Sequence, residues 1–134
     1  MINLIVGSKG SGKTKKMIEM INASAKTTPG NIVCIEKSMK LTYDIDHAAR
    51  LIDVDEYSIS GYDMLYGFVA GVLAGNYDIV EVYIDGVLKL GGHDMEGLGG
   101  LLAKLDKVSG EGVKIIVTVS ADEAELTDSV KKYL

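Results

Sequence analysis

The 134-residue sequence has no tryptophan, one phenylalanine, one proline and one cysteine. A single thiol cannot close an intramolecular disulfide, so the fold must rest on its core, and a reducing compartment is the expectation. Cations are scarce too. Lys plus Arg total 14 against 19 Asp plus Glu, and the net charge of -5 leaves no broad basic field to attract a nucleic-acid backbone. General nucleic-acid binding is therefore not expected. The longest uncharged stretch, Met64 to Tyr77, is interrupted by Gly67, Gly71 and Gly75 and falls short of the ~20 apolar residues that span a bilayer. The apolar run after Met1, Ile2 to Val6, is too short for a signal peptide and has no basic segment before it. A cytoplasmic protein without a membrane span is expected.

Against these absences stand 47% hydrophobic and 25% charged residues, an ordinary globular composition. The length suits one domain covering residues 1–134, given the usual ~100 to 200 residues per domain. Short β-rich runs alternate with segments of helical period. Strands are expected over Ile2 to Val6, Asn31 to Ile35, Ile79 to Ile84 and Lys114 to Val119, with a fifth over Arg50 to Val54. The first and last are apolar almost throughout, as strands buried on both faces should be, whereas Glu81 suggests that the Ile79 strand sits nearer solvent.

Helices are expected over Lys13 to Ala25, over Gly61 to Ala74 with Ser60 as N-cap, over His93 to Val108, and from Ser120 to the C-terminus with Glu123 in capping-box position. The pattern describes an α/β fold: a three-layer sandwich around a mostly parallel sheet of four or five strands.

Directly after the first strand stand Gly7, Ser8, Lys9, Gly10, Ser11, Gly12, Lys13 and Thr14, a full match to G-x-x-x-x-G-K-[ST], the P-loop or Walker A motif. Glycines let the backbone curl so that successive N–H groups face an anion, and the following helix adds about half a positive charge at its N-terminus. All eight residues are candidate phosphate ligands. Lys13 would bridge the β- and γ-phosphates, and the Thr14 hydroxyl would ligate Mg²⁺. The bland alternative is a glycine-rich turn without a ligand, but the strand, loop, helix order argues against it.

A magnesium–nucleotide site also needs a carboxylate from a neighbouring strand tip, and Val82, Tyr83, Ile84, Asp85 has the Walker B form. Asp85 is the candidate metal residue, with an Asp85-Gly86 turn as its structural alternative. Gly86 stands where many ATPases carry a glutamate. Another strand tip, Ile32, Val33, Cys34, Ile35, Glu36, makes Glu36 the candidate base, against the alternative of an exposed, idle strand-end carboxylate.

These residues resemble the P-loop NTPase superfamily, and the placement of Glu36 resembles its RecA-like branch. The N-terminal part, from the glycine-rich loop to Ile32-Val33-Cys34-Ile35-Glu36, is similar to twitching-motility and secretion ATPases. Later acidic and histidine signatures of those motors have no counterpart here. The resemblance implies a P-loop NTPase fold, and a strand beside the P-loop strand that carries a polar γ-phosphate sensor, for which Thr118 and Ser120 are candidates. Ser120 has the competing N-cap role.

Other residues carry weaker expectations. Arg50, the sole arginine, is better read as a partner of the nearby acids Asp44, Asp46, Asp53, Asp55 and Glu56 than as an arginine finger. Lys9 is expected to face solvent. His47 and His93, without cysteines at metal spacing, give no transition-metal site, and Cys34 reads as a small core residue. The polar segment from Lys37 to Ser60, with Tyr43 and Tyr57, has the size of a binding loop.

The leading expectation is Mg²⁺-dependent ATP binding with slow hydrolysis, the ligand being a nucleoside triphosphate and an oligomer or protein partner completing the site. ATP rather than GTP rests on the lack of an Asn-Lys-x-Asp guanine signature. The alternatives are a small nucleoside or nucleotide kinase and a non-catalytic nucleotide sensor; Gly86 favours the latter.

Overall fold

A computed structural model describes residues 1–38 and 44–134; Tyr43 lies outside the described residues. Five strands form one sheet: β1 (Ile2–Gly7), β2 (Asn31–Glu36), β3 (Ala49–Asp53), β4 (Ile79–Ile84) and β5 (Lys114–Ser120). Every pairing is parallel and the order is β1-β5-β4-β2-β3. The helices are α1 (Lys13–Thr27), α2 (Tyr62–Gly75), the short α3 (Val87–Gly91), α4 (Met95–Ser109) and the short α5 (Asp128–Lys131). All strand tips that follow from this order point their C-terminal ends the same way, toward the loop between β1 and α1.

Alternation along the strands divides the core in two. On one face Ile32, Cys34, Tyr83 and Ile116 pack against Met17 and Ile21 of α1. On the other, Val33, Ile35, Val82, Ile84, Ile115 and Val117 meet Leu65 and Val69 of α2 and Leu98, Leu102 and Leu105 of α4. These are the three layers, and the sheet is wholly parallel.

Several local expectations change. The Ile79 strand does not lie toward solvent: β4 is the central strand, with Val82, Tyr83 and Ile84 buried. Its one charge is accommodated at the opposite end of the sheet from the loop, where Glu81 accepts a hydrogen bond from the Tyr83 hydroxyl. Conversely β1, apolar in sequence, is an edge strand, and Leu4, Ile5 and Val6 are only half-buried.

Ser60 is not the N-cap of α2; Gly61 holds that place with φ +87, and no side chain caps it. Ser120 does not start a helix either. It pairs with Gly7 as the last residue of β5, so the capping box moves to Asp122 and Glu125, around a 3₁₀ turn over Glu123–Glu125. The C-terminal helix is correspondingly short. Helix α4 starts at Met95 behind the N-cap Asp94, whose side chain accepts from Glu96 N–H at 3.1 Å, and the sequence pattern does not predict the short α3.

Candidate functional site

The loop from Gly7 to Gly12 leaves the C-terminal end of β1 and turns sharply into α1. Gly7 packs closely under the loop: an added Cβ would lie 2.4 Å from Ser11 Oγ and 3.2 Å from Ser11 Cβ, so the Ser11 side chain would have to turn away. Gly12 caps α1 in the left-handed region at φ +91, where a side chain would be strained. Ser11 N–H donates to the Ser8 carbonyl at 3.1 Å, closing the curl, while Ser8, Lys9, Gly10, Ser11 and Gly12 face solvent. The first-turn amides of α1, including those of Lys13 and Thr14, have no intrahelical acceptor, and no acidic side chain occupies that turn. Lys13 is buried along its stem, and its Nζ donates to the Ser8 carbonyl oxygen at 2.9 Å, so the ammonium sits over the loop's interior.

Thr14, one residue into the helix, meets Asp85. Its Oγ1 lies 3.2 Å from Asp85 Oδ1 and 3.4 Å from Oδ2. Asp85 is fixed by its neighbours: its N–H donates to the Ile35 carbonyl at 2.9 Å, and the Thr118 hydroxyl donates to Oδ1 at 2.8 Å. Gly86 follows in the left-handed region at φ +66, and its N–H donates to Thr118 Oγ1 at 2.7 Å.

Glu36 closes β2. It and Asp85 are each the next residue after the paired Ile35 and Ile84, so they occupy neighbouring strand tips. The Cys34 thiol, buried in the same region, is pushed far above its ordinary pKa, chiefly by burial and then by the negative charges of Glu36 and Asp85. Glu36 is 3% exposed, which removes the reading of an exposed strand-end carboxylate.

The sheet's α1 face thus ends in a row of polar side chains, Thr118, Asp85, Glu36 and Asp53, at the C-terminal ends of β5, β4, β2 and β3 in turn. Asp53, expected only as one of the acids near Arg50, is the fourth member of this row. It is buried, pairs in register with Glu36, and its Oδ1 accepts 2.9 Å hydrogen bonds from the N–H groups of Ser38 and Asp55. Asp53 therefore ties Ser38, just after β2, to the turn that it caps at Asp55, and Asp55 and Glu56 in that turn are the sequence signal for it.

Other candidates lie elsewhere. Arg50 is exposed on the edge strand β3 and, one step out of phase with Asp53, falls on the α2 side of the sheet. There it lines a cleft of about 420 Å³ with Val72 and Asn76, and among the described residues it forms no ion pair, contrary to expectation. Ser120 pairs with Gly7 and is half-buried. Lys9 and His93 are exposed, and Cys34 is fully buried. Across the molecule, Asn22 of α1 holds the 44–46 segment through its donation to the Asp44 carbonyl and its acceptance from Asp46 N–H, both at 2.8 Å.

The architecture is similar to the conjugation coupling protein TcpA of pCW3, solved in its monomer form with ATPγS: the TM-score is 0.59 and sequence identity 19%, over 98% of this chain and 46% of that one. The fold is that of a P-loop NTPase. This chain spans less than half of the neighbour's length. The sequence itself matches no protein-family model and no curated protein.

In this P-loop NTPase fold, the Thr14 hydroxyl and Asp85 carboxylate converge as hard oxygen donors, the chemistry Mg²⁺ takes. Among the described residues no group of three or more His, Cys, Asp or Glu is placed to hold a metal ion. No helix among the described residues is long and apolar enough to cross a membrane.

Proposed function

We propose that the chain is a single compact nucleotide-binding unit, an Mg²⁺-dependent ATPase of RecA-like type that turns over slowly on its own. The observation that carries this reading is the contact between Thr14 and Asp85, which brings the loop motif and the β4 carboxylate to one point. The RecA-like assignment is supported by β5 lying between β1 and β4, and by Glu36 closing the strand that follows α1.

The amides of residues 7–14 and the Lys13 ammonium would hold the triphosphate as preorganised donors, with Lys13 exchanging the Ser8 carbonyl for the β- and γ-phosphate oxygens. Thr14 and Asp85 would hold Mg²⁺, which when bound neutralises charge on those oxygens. Glu36 would orient and take the proton of a water that attacks the γ-phosphorus in line. The new P–O bond forms as the bond to the β-γ bridging oxygen breaks, leaving ADP and inorganic phosphate. Arg50 lies on the opposite face of the sheet from Glu36 and is not placed to reach the γ-phosphate; in this reading an oligomer or protein partner completes the site.

One observation favours a second reading. Gly86 replaces the glutamate that follows the metal carboxylate in many ATPases, and its left-handed φ of +66 suits glycine and would strain any side chain. A non-catalytic nucleotide sensor would tolerate this.

Phosphate release from Mg²⁺-ATP by the wild type, Lys13→Ala and Glu36→Gln separates the readings. The ATPase reading expects slow release by the wild type, none by Lys13→Ala through lost binding, and at least about a hundredfold loss in Glu36→Gln with binding retained, the general-base contribution being roughly 10²–10⁴. Equal release by Glu36→Gln removes the base assignment. Nucleotide binding with no release at any protein concentration favours the sensor.

A further inference from the structure

We infer that Thr118 is a positioning residue, one that fixes the Asp85 carboxylate for cation binding, and is not a γ-phosphate sensor; this rests on the proposed magnesium–nucleotide reading. A threonine hydroxyl has one proton and two lone pairs. Here the proton goes to Asp85 Oδ1 at 2.8 Å and a lone pair receives the Gly86 N–H at 2.7 Å. No donor remains for a phosphate. Thr118 is also 1% exposed, beneath the level at which the loop meets solvent.

The scaffold makes this pair of bonds rigid. Strand β5 is paired on both sides, with Ile5 of β1 opposite Thr118 and Val117 opposite Ile84 of β4, so its backbone cannot drift toward or away from Asp85. Two hydroxyls, from Thr14 and Thr118, therefore converge on Oδ1, while among the described residues Oδ2 has only the 3.4 Å contact to Thr14. The carboxylate is held with Oδ2 as the oxygen of greater remaining acceptor capacity. By receiving the Gly86 N–H, the same hydroxyl also fixes the turn that immediately follows Asp85. Partners of this kind, which orient a metal ligand without touching the metal, usually carry a measurable share of the metal affinity.

The test compares the wild type, Thr118→Val, which keeps the shape and loses the hydroxyl, and Thr118→Ser, which keeps the hydroxyl. Two readouts are taken: the Gly86 amide proton resonance of the protein alone, and ATP and ADP affinity by calorimetry with Mg²⁺ and with EDTA. Thr118→Val is expected to shift the Gly86 amide upfield and to shrink the Mg²⁺-dependent gain in affinity by about 10- to 100-fold, with affinity in EDTA unchanged. Thr118→Ser is expected to stay close to the wild type in both. If Thr118→Val does not fold, Thr118→Ala carries the same two readouts.

The assignment is overturned if loss of the hydroxyl leaves the Mg²⁺-dependent gain intact. It is also overturned if affinity in EDTA falls for ATP but not ADP, the mark of a γ-phosphate contact. A wild type that binds ATP with Mg²⁺ while the valine variant behaves identically defeats only this role for Thr118. A wild type that binds no nucleotide under either condition defeats the nucleotide reading and this assignment together.

Discussion

Lys13 Nζ and the Ser8 carbonyl oxygen lie 2.9 Å apart, so the charge of the loop motif is held by the loop's own backbone. Ser8 is exposed, and water can satisfy its carbonyl if the ammonium is removed. Lys13→Ala should therefore cost about 1.5–3 kcal/mol, the worth of a hydrogen bond made by a charged group, with the loss of its buried stem included in the measured drop. Thermal unfolding checks this. A drop of that size leaves the variant folded and makes it a usable probe of binding, whereas loss of the folded state would contradict this accounting.

Gly91 gives a sharper stability prediction. An added Cβ there would lie 2.0 Å from Cε1 of Tyr62, whose hydroxyl donates to the Gly92 carbonyl. Gly91→Ala should cost about 1–3 kcal/mol through overpacking. The penalty should disappear in a Tyr62→Ala background, where the ring is gone, and a double-mutant cycle in urea measures the coupling. Additive losses would show that the ring and the glycine do not meet.

Alkaline pH should weaken the fold. Burial, with the negative charge of Asp94 adding, pushes the Tyr62 hydroxyl up to about 12, while burial and the Glu81 carboxylate raise Tyr83 further and burial raises Cys34. Each group is neutral when protonated and keeps its proton to higher pH folded than unfolded. Stability is thus whole below the unfolded values, about 8.5 for Cys and about 10 for Tyr, and declines as pH rises through the folded ones. Urea midpoints should be level near neutrality and fall beyond about pH 9. Tyr62→Phe should lessen the fall between the unfolded tyrosine value and about 12. A midpoint that holds steady or rises in strong alkali would contradict the buried environments of these side chains.

The parts of the site visible in the sequence are those determined locally. The loop from Gly7 to Thr14 is legible because its glycines and its lysine answer to one tight turn, and Asp85 because an apolar run must end where it reaches solvent. What the sequence could not show is lateral order. Nothing in Ile2 to Val6 says that β1 stands at an edge, and nothing around Glu81 says that β4 stands at the centre; both depend on partners far along the chain.

Capping failed for a related reason. Ser120 has the residue type of an N-cap, but the ladder to Gly7 extends through it and takes the chain past that position still as strand. Thr118 was visible as a strand-end hydroxyl, yet its role depends on which strand lies beside it, and Asp85 and Gly86 come from 33 and 32 residues away. Asp53 shows the reverse: its turn-capping character is local, while its place beside Glu36 is not.

The most direct test of the central claim, that residues 7–14 hold a polyphosphate, is an amide NMR titration of the wild type and Lys13→Ala with Mg²⁺-ATP. The account predicts saturable shifts concentrated at Gly7 to Thr14 and around Asp85 in the wild type, absent or displaced to at least about tenfold higher ligand in the variant, as loss of a charge-assisted bond implies. Shifts missing from that loop at millimolar ATP, or centred instead on the cleft lined by Tyr62, Tyr66 and Lys104, would contradict it.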